Sequence, residues 1–139
     1  MTDMKISPIT EMQISKLRKD IAQTEKDITD RKNRGIDVPP AKFYVHAINY
    51  NKLFKLNRDD NAFKSSIDNI TLAIDLNPHE LQYSATRAKF YMDVDNYKKS
   101  KEDIDNIRDK IDLLLGIPKF YVTNIVNEFD TNVIKLLSK

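Results

Sequence analysis

Apolar residues recur along this chain at helical rather than strand spacing. The first run is Ile14, Leu17, Ile21 and Ile28, a thin stripe on a strongly charged segment. Ser7 followed by Pro8 opens it, with Ser7 as N-cap, and Gly35 closes it behind Lys32 and Arg34. After a loop ending at Pro39, a second helix is expected from Pro40 to Asn57, facing inward with Phe43, Ala47, Tyr50, Leu53, Phe54 and Leu56. A turn at Arg58–Asn61 leads to a third helix, Asn61 to Leu76, with Phe63, Ile67, Ile70, Ala73 and Ile74 inward. Pro78 ends it, because proline pushes the preceding residue out of helical geometry. A fourth helix is expected over His79–Met92, with Leu81, Ala85, Ala88, Tyr91 and Met92 inward. A fifth is expected from Asn96 to Leu115, running on to Gly116, since no proline interrupts it. Pro118 starts a sixth, with Tyr121, Ile125, Phe129, Val133, Leu136 and Leu137 as its stripe.

Two of these segments match each other. Phe63 lies over Tyr97, an offset of 97 − 63 = 34 residues. At the same offset Lys55 repeats as Lys89, Lys64 as Lys98, Ser66 as Ser100, Ile70 as Ile104 and Asp75 as Asp109. A period of about 34 residues is the mark of stacked helix–turn–helix units.

These residues resemble the tetratricopeptide repeat family. Phe63 resembles the aromatic that opens the second helix of such a unit, and Ala73 the small residue where helices cross. Leu76, Asn77 and Pro78 resemble its closing leucine, polar residue and proline. In the next unit Arg87, Ala88, Tyr91, Tyr97, Asp103 and Ile104 follow the pattern. The chain departs from it at Phe54, which stands where Ala88 stands one unit later, and at Asn57, Ser66, Ser100 and Ile107. The resemblance covers about half the chain. It implies an all-α domain over 1–139: an N-terminal helix at 7–35, two repeat-like hairpins over 40–115, and a C-terminal capping helix at 117–139. Two units are fewer than the three a stable stack usually needs, so the first and last helices are expected to cover the ends.

Composition narrows the picture further. Only two glycines and five prolines occur, too few glycines for a sheet rich in tight hairpins. Charge is balanced, with 23 basic and 21 acidic residues and a net charge of +2, which argues against nucleic acid as the partner. Cysteine is absent, which excludes disulfides and thiolate metal sites. No apolar run approaches the roughly 20 residues of a membrane helix. The first residues lack the basic and apolar regions of a secretory leader. A cytoplasmic protein without a membrane role is therefore expected.

No catalytic constellation emerges. His46 and His79 are far apart in sequence and lack metal-binding spacing. Gly35 and Gly116 are isolated helix terminators, not a phosphate-cradling loop. Ser65 and Ser66 precede no base or oxyanion motif, and the pairs Asp59/Asp60 and Asp93/Asp95 fit turns and caps. A non-enzymatic chain with no cofactor and no metal is expected.

What remains is binding. In the family resembled, the first helix of each unit lines a concave groove. That places Ile48, Asn51, Lys55 and Arg58 from one unit there, with Gln82, Ala85, Lys89 and Met92 from the next. Asn51, Lys55, Arg58, Gln82 and Lys89 are the expected partner-binding residues, and their basic character suits an acidic protein or peptide. The Lys/Asn/Arg set of a chaperone carboxylate clamp is not reproduced. Arg87 is expected to pack its stem and expose its head. The alternative reading is a self-associating helical domain using the first and sixth helices, with Ile14, Ile21 and Ile28 as a seam for a second copy; a less favoured alternative is a nucleic-acid-binding helical bundle.

Overall fold

The computed structural model describes residues 6–138. Residues 1–5, on which most of the reading about a leader falls, and residue 139 lie outside the described residues. The described chain is all-α: α1 (Pro8–Asn33), α2 (Pro40–Asn57), α3 (Asp60–Leu76), α4 (Leu81–Asp93), α5 (Tyr97–Arg108) and α6 (Gly116–Leu137), with a short 3-10 helix at Ile111–Leu113 before α6. No strand occurs among the described residues. Contacts group the chain into two compact units, Met1–Asn69 and Ile70–Lys139, with α3 contributing to both.

The N-terminal unit is led by a long hairpin of α1 and α2. The Ser7 hydroxyl accepts a hydrogen bond from the Thr10 amide, at 3.1 Å, and caps α1. Gly35, at φ +67°, closes it, a left-handed turn that a Cβ would strain. Ile21 and Ile28 are buried, while Ile14 and Leu17 are only half-buried. The face proposed above as a seam for a second copy is thus the one packed on α2. Ile21 and Ile28 are therefore covered within the single chain and are not open to a second copy in this fold. α2 ends at Arg58, a non-glycine residue at φ 55°, whose guanidinium stacks 5.4 Å from the Phe54 ring centroid. Asn57 and Asp59 then hold the turn by accepting the amides of Asp59 and Asn61, each at 2.9 Å.

In the C-terminal unit α4 packs on both α5 and α6. Leu81, Ala85, Ala88 and Met92 join Ile104, Ile107, Val122, Ile125, Val126 and Phe129 in one core. Tyr83, Phe90 and Thr86 are buried as well, so α4 is enclosed around most of its circumference. Ala88 is wholly buried, and the Ser100 hydroxyl donates to its carbonyl at 3.0 Å. Two small residues thus let α4 and α5 approach closely. In the N-terminal unit Phe63 packs against Phe54, with centroids 5.1 Å apart. Residue 88, the counterpart of Phe54, is alanine, and Tyr97 instead meets Phe129 of α6 at 6.2 Å.

Three helix boundaries differ from expectation. α4 starts at Leu81, not His79, because residues 77–80 form a turn closed by the Glu80 amide on the Asn77 carbonyl at 3.2 Å. α5 stops at Arg108 instead of running to Leu115. A straight extension would carry Ile111 and Leu114 past the core, at about 1.5 Å per residue. The break folds both side chains back against it. α6 begins at Gly116, two residues before Pro118, with Gly116 at φ +64°. At its other end Leu136 and Leu137, expected inward, are exposed.

A lysine-rimmed cleft as candidate functional site

The α1 stripe is narrow where it approaches the end of α2. With only Ile14 and Leu17 to offer there, α1 does not close over Leu56, and a cleft of about 400 Å³ remains between the helices of the N-terminal unit. Its floor is Leu17 and Leu56, and its rim is Gln13 and Lys16 from α1 with Lys52 and Lys55 from α2. Lys52 and Lys55 are one helical turn apart and so share a face. Lys16 shares its charge with Asp20, 3.7 Å away. A wider hollow of about 600 Å³ lies on the opposite side of α1, lined by Ile6, Ile14, Arg18, Lys19, Glu11 and Asn57 among others. Its rim mixes signs, whereas among the described residues every charged one lining the first cleft is basic.

The other end of the hairpin is locked by polar contacts. Lys42 meets Asp27 at 3.5 Å. The Tyr50 hydroxyl donates to Glu25, and the His46 Nε2 lies 3.6 Å from the same carboxylate. His46 and Tyr50 stack edge to face at 4.7 Å. Burial pushes the Tyr50 pKa well up, and the Glu25 hydrogen bond adds to that. Burial also lowers the pKa of His46 from its usual 6.5, outweighing the attraction of Glu25. An unfolded histidine therefore takes up its proton at higher pH than His46 does. The stability tied to neutral His46 is complete above pH 6.5 and is lost as pH falls through the lowered folded value. The urea midpoint is expected to drop between pH 7 and pH 5, and His46→Leu is expected to flatten that drop. An equally steep profile in the variant would place the titrating group elsewhere.

The expected binding residues meet different fates. Lys55 lines the cleft, and Arg58 caps the same helix at its exposed end. Asn51, in contrast, is buried. Gln82 is half-buried in the C-terminal unit, where its carbonyl accepts the Thr86 hydroxyl at 2.8 Å. Lys89 is engaged within the chain: its ammonium lies 2.6 and 2.9 Å from the two Glu128 oxygens and 3.3 Å from Asp93. Burial opposes its charge, but these hydrogen bonds and carboxylates prevail and raise its pKa. Ala85 and Met92, expected along the groove, lie in the core. Arg87 also differs from expectation. Its side chain is part-buried, and its head is held within the chain by two hydrogen bonds to buried Asp103, at 2.9 and 2.6 Å, and a third to Thr71 at 3.1 Å.

Gln13, Lys16, Leu17, Lys52 and Leu56 are not among the partner-groove residues expected from the sequence. Their one legible signal is the pair Lys52 and Lys55 flanking an apolar face. The α1 half of the cleft depends on the pairing of α1 with α2, which no local pattern encodes. Among the described residues no helix is long and apolar enough to cross a membrane, and no group of acidic and histidine side chains could hold a metal ion. No protein family, curated protein or solved structure matches the chain.

Proposed function

We propose that this chain is a non-enzymatic protein-interaction module, built on hairpins that resemble tetratricopeptide units, which holds an acidic segment of a partner protein over the α1–α2 cleft. One observation carries this reading: Lys16, Lys52 and Lys55 surround an apolar floor of Leu17 and Leu56. Such a surface suits a segment that pairs carboxylates with a spaced leucine or phenylalanine. The apolar residue enters the cleft and the acids meet the rim. The repeat-like character of the scaffold is supported by positions 34 apart in sequence: Ser66 and Ser100, like Ile70 and Ile104, are all fully buried. An adaptor, a chaperone-like factor or an antagonist of its partner could all use such a site.

Selection from a random peptide display library on the immobilised protein tests this. The peptides returned are expected to be rich in Asp and Glu with spaced Leu or Phe. Their affinity is expected to fall as salt rises. Lys52→Glu with Lys55→Glu is expected to weaken them by about ten- to a hundredfold, since two attractions become repulsions. Enrichment of basic peptides, or unchanged affinity in the double variant, would remove the cleft from consideration.

A further inference from the structure

We infer that the surface at the start of α6 is a contact between two copies of this chain. Four large apolar side chains crowd there, nearly uncovered: Leu113 at 81% exposure, Leu115 at 83%, Ile117 at 84% and Phe120 at 70%. The backbone produces this arrangement. After the 3-10 turn the chain runs extended through Leu114 (ψ 154°) and Leu115 (φ −132°, ψ 154°). Successive side chains of an extended segment point to opposite sides. Leu114 and Ile111 therefore turn to the core, while Leu113 and Leu115 turn away from it. Ile117 and Phe120 sit a turn apart on α6 and continue the surface.

Area and charge select the occupant. A contiguous apolar patch of a few hundred Å² is the upper range for a lone protein. Two such patches face to face remove on the order of 1,000 Å² from water, the lower limit for a specific contact. The charged residues that neighbour it in the chain are Asp109, Lys110, Asp112 and Lys119, two acids and two bases. Asp112 and Lys119 lie 3.8 Å apart, with Asp112 almost fully exposed. A strongly acidic or basic partner would meet repulsion from half of these charges. A two-fold axis that brings Asp112 of one copy to Lys119 of the other places opposite charges at both of its symmetric contacts, so the surface can complement itself. The Ile21 and Ile28 face of α1 is already covered and does not compete for this role.

Sedimentation velocity on the full chain, from micromolar to near-millimolar concentration, tests the inference. A monomer–dimer equilibrium is expected. Phe120→Ser with Ile117→Ser alters only exposed side chains and should leave the circular dichroism spectrum unchanged, while raising the dimer Kd at least tenfold. Lys119→Asp and Asp112→Lys should each weaken self-association, and mixing the two variants should restore it, because only the mixed pair faces opposite charges at both contacts. A monomer at every concentration would overturn the inference, as would a dimer indifferent to Phe120 and Ile117. A monomer that instead floats with phosphatidylcholine vesicles, losing that property with Phe120→Ser, would assign the patch to a lipid surface and overturn it equally.

Discussion

Asp103→Leu is expected to destabilise the protein by about 3–5 kcal/mol, the usual cost of leaving one member of a buried ion pair without its counter-charge. Asp103 is 4% exposed and Arg87 23% exposed, so water can do little to screen what remains. The guanidinium would keep only the Thr71 hydroxyl among its direct partners. The hydrogen bonds Arg87 donates to Asp103, which raise its pKa in the native protein, are gone in the variant, yet a guanidinium stays charged at any ordinary pH, so the arginine will not escape the cost by losing its proton. Arg87→Met combined with Asp103→Leu should lose far less than either single change, since apolar side chains of similar size often replace a buried pair at little cost. Urea denaturation of the four proteins gives the coupling directly. A single-variant loss below about 1 kcal/mol, or simple additivity, would mean that the pair is better solvated than its burial indicates.

Ile70→Ala and Ile104→Ala should each cost about 2–5 kcal/mol, through lost burial and the cavity left behind. Both side chains are fully enclosed, at 0% exposure, and they stand 104 − 70 = 34 residues apart, the same interval that relates Phe63 to Tyr97. If the interval marks structurally equivalent places, the two losses should be similar. Thermal or urea unfolding of both variants under one set of conditions decides this. A near-neutral Ile70→Ala beside a severe Ile104→Ala would show that only the C-terminal position is a true packing site and would break the correspondence.

Helical class and the place of most turns were legible because their causes are local. Ser7 with Pro8, Gly35, Pro40 and Asn77 with Pro78 act within a few residues, and the structure uses each where the pattern put it. The stripe of α6 was readable from Tyr121 to Val133 for the same reason, since one face of a helix needs only its own periodicity. α5 was misread because nothing near Arg108 forbids a longer helix. Its end is decided by a core that lies elsewhere in sequence and draws Ile111 and Leu114 back. α4 was read as one-sided although it is enclosed nearly all round, because Ser84 and Thr86 look like surface residues until α5 and α6 are packed against it.

The binding surface divides in the same way. Lys55 was found from its recurrence as Lys89, yet the two lysines have different surroundings. One lines an open cleft, and the other is clasped by Glu128, 128 − 89 = 39 residues further on. Arg87 was placed at the surface because its counter-ion is on the next helix and could not be seen from Arg87 itself.

By itself, then, the order of residues determined that this chain is helical, where most of its helices begin and end, and which side chains recur at the interval of a helical hairpin. Short-range forces suffice for that: capping hydrogen bonds, the fixed geometry of proline, and the burial of a periodic stripe. Only the tertiary structure decided which cations meet carboxylates from distant helices, which line a cleft, and which apolar residues find cover. Those outcomes depend on pairings between segments tens of residues apart, and a charge or a methyl group carries no local mark of the neighbour it will meet.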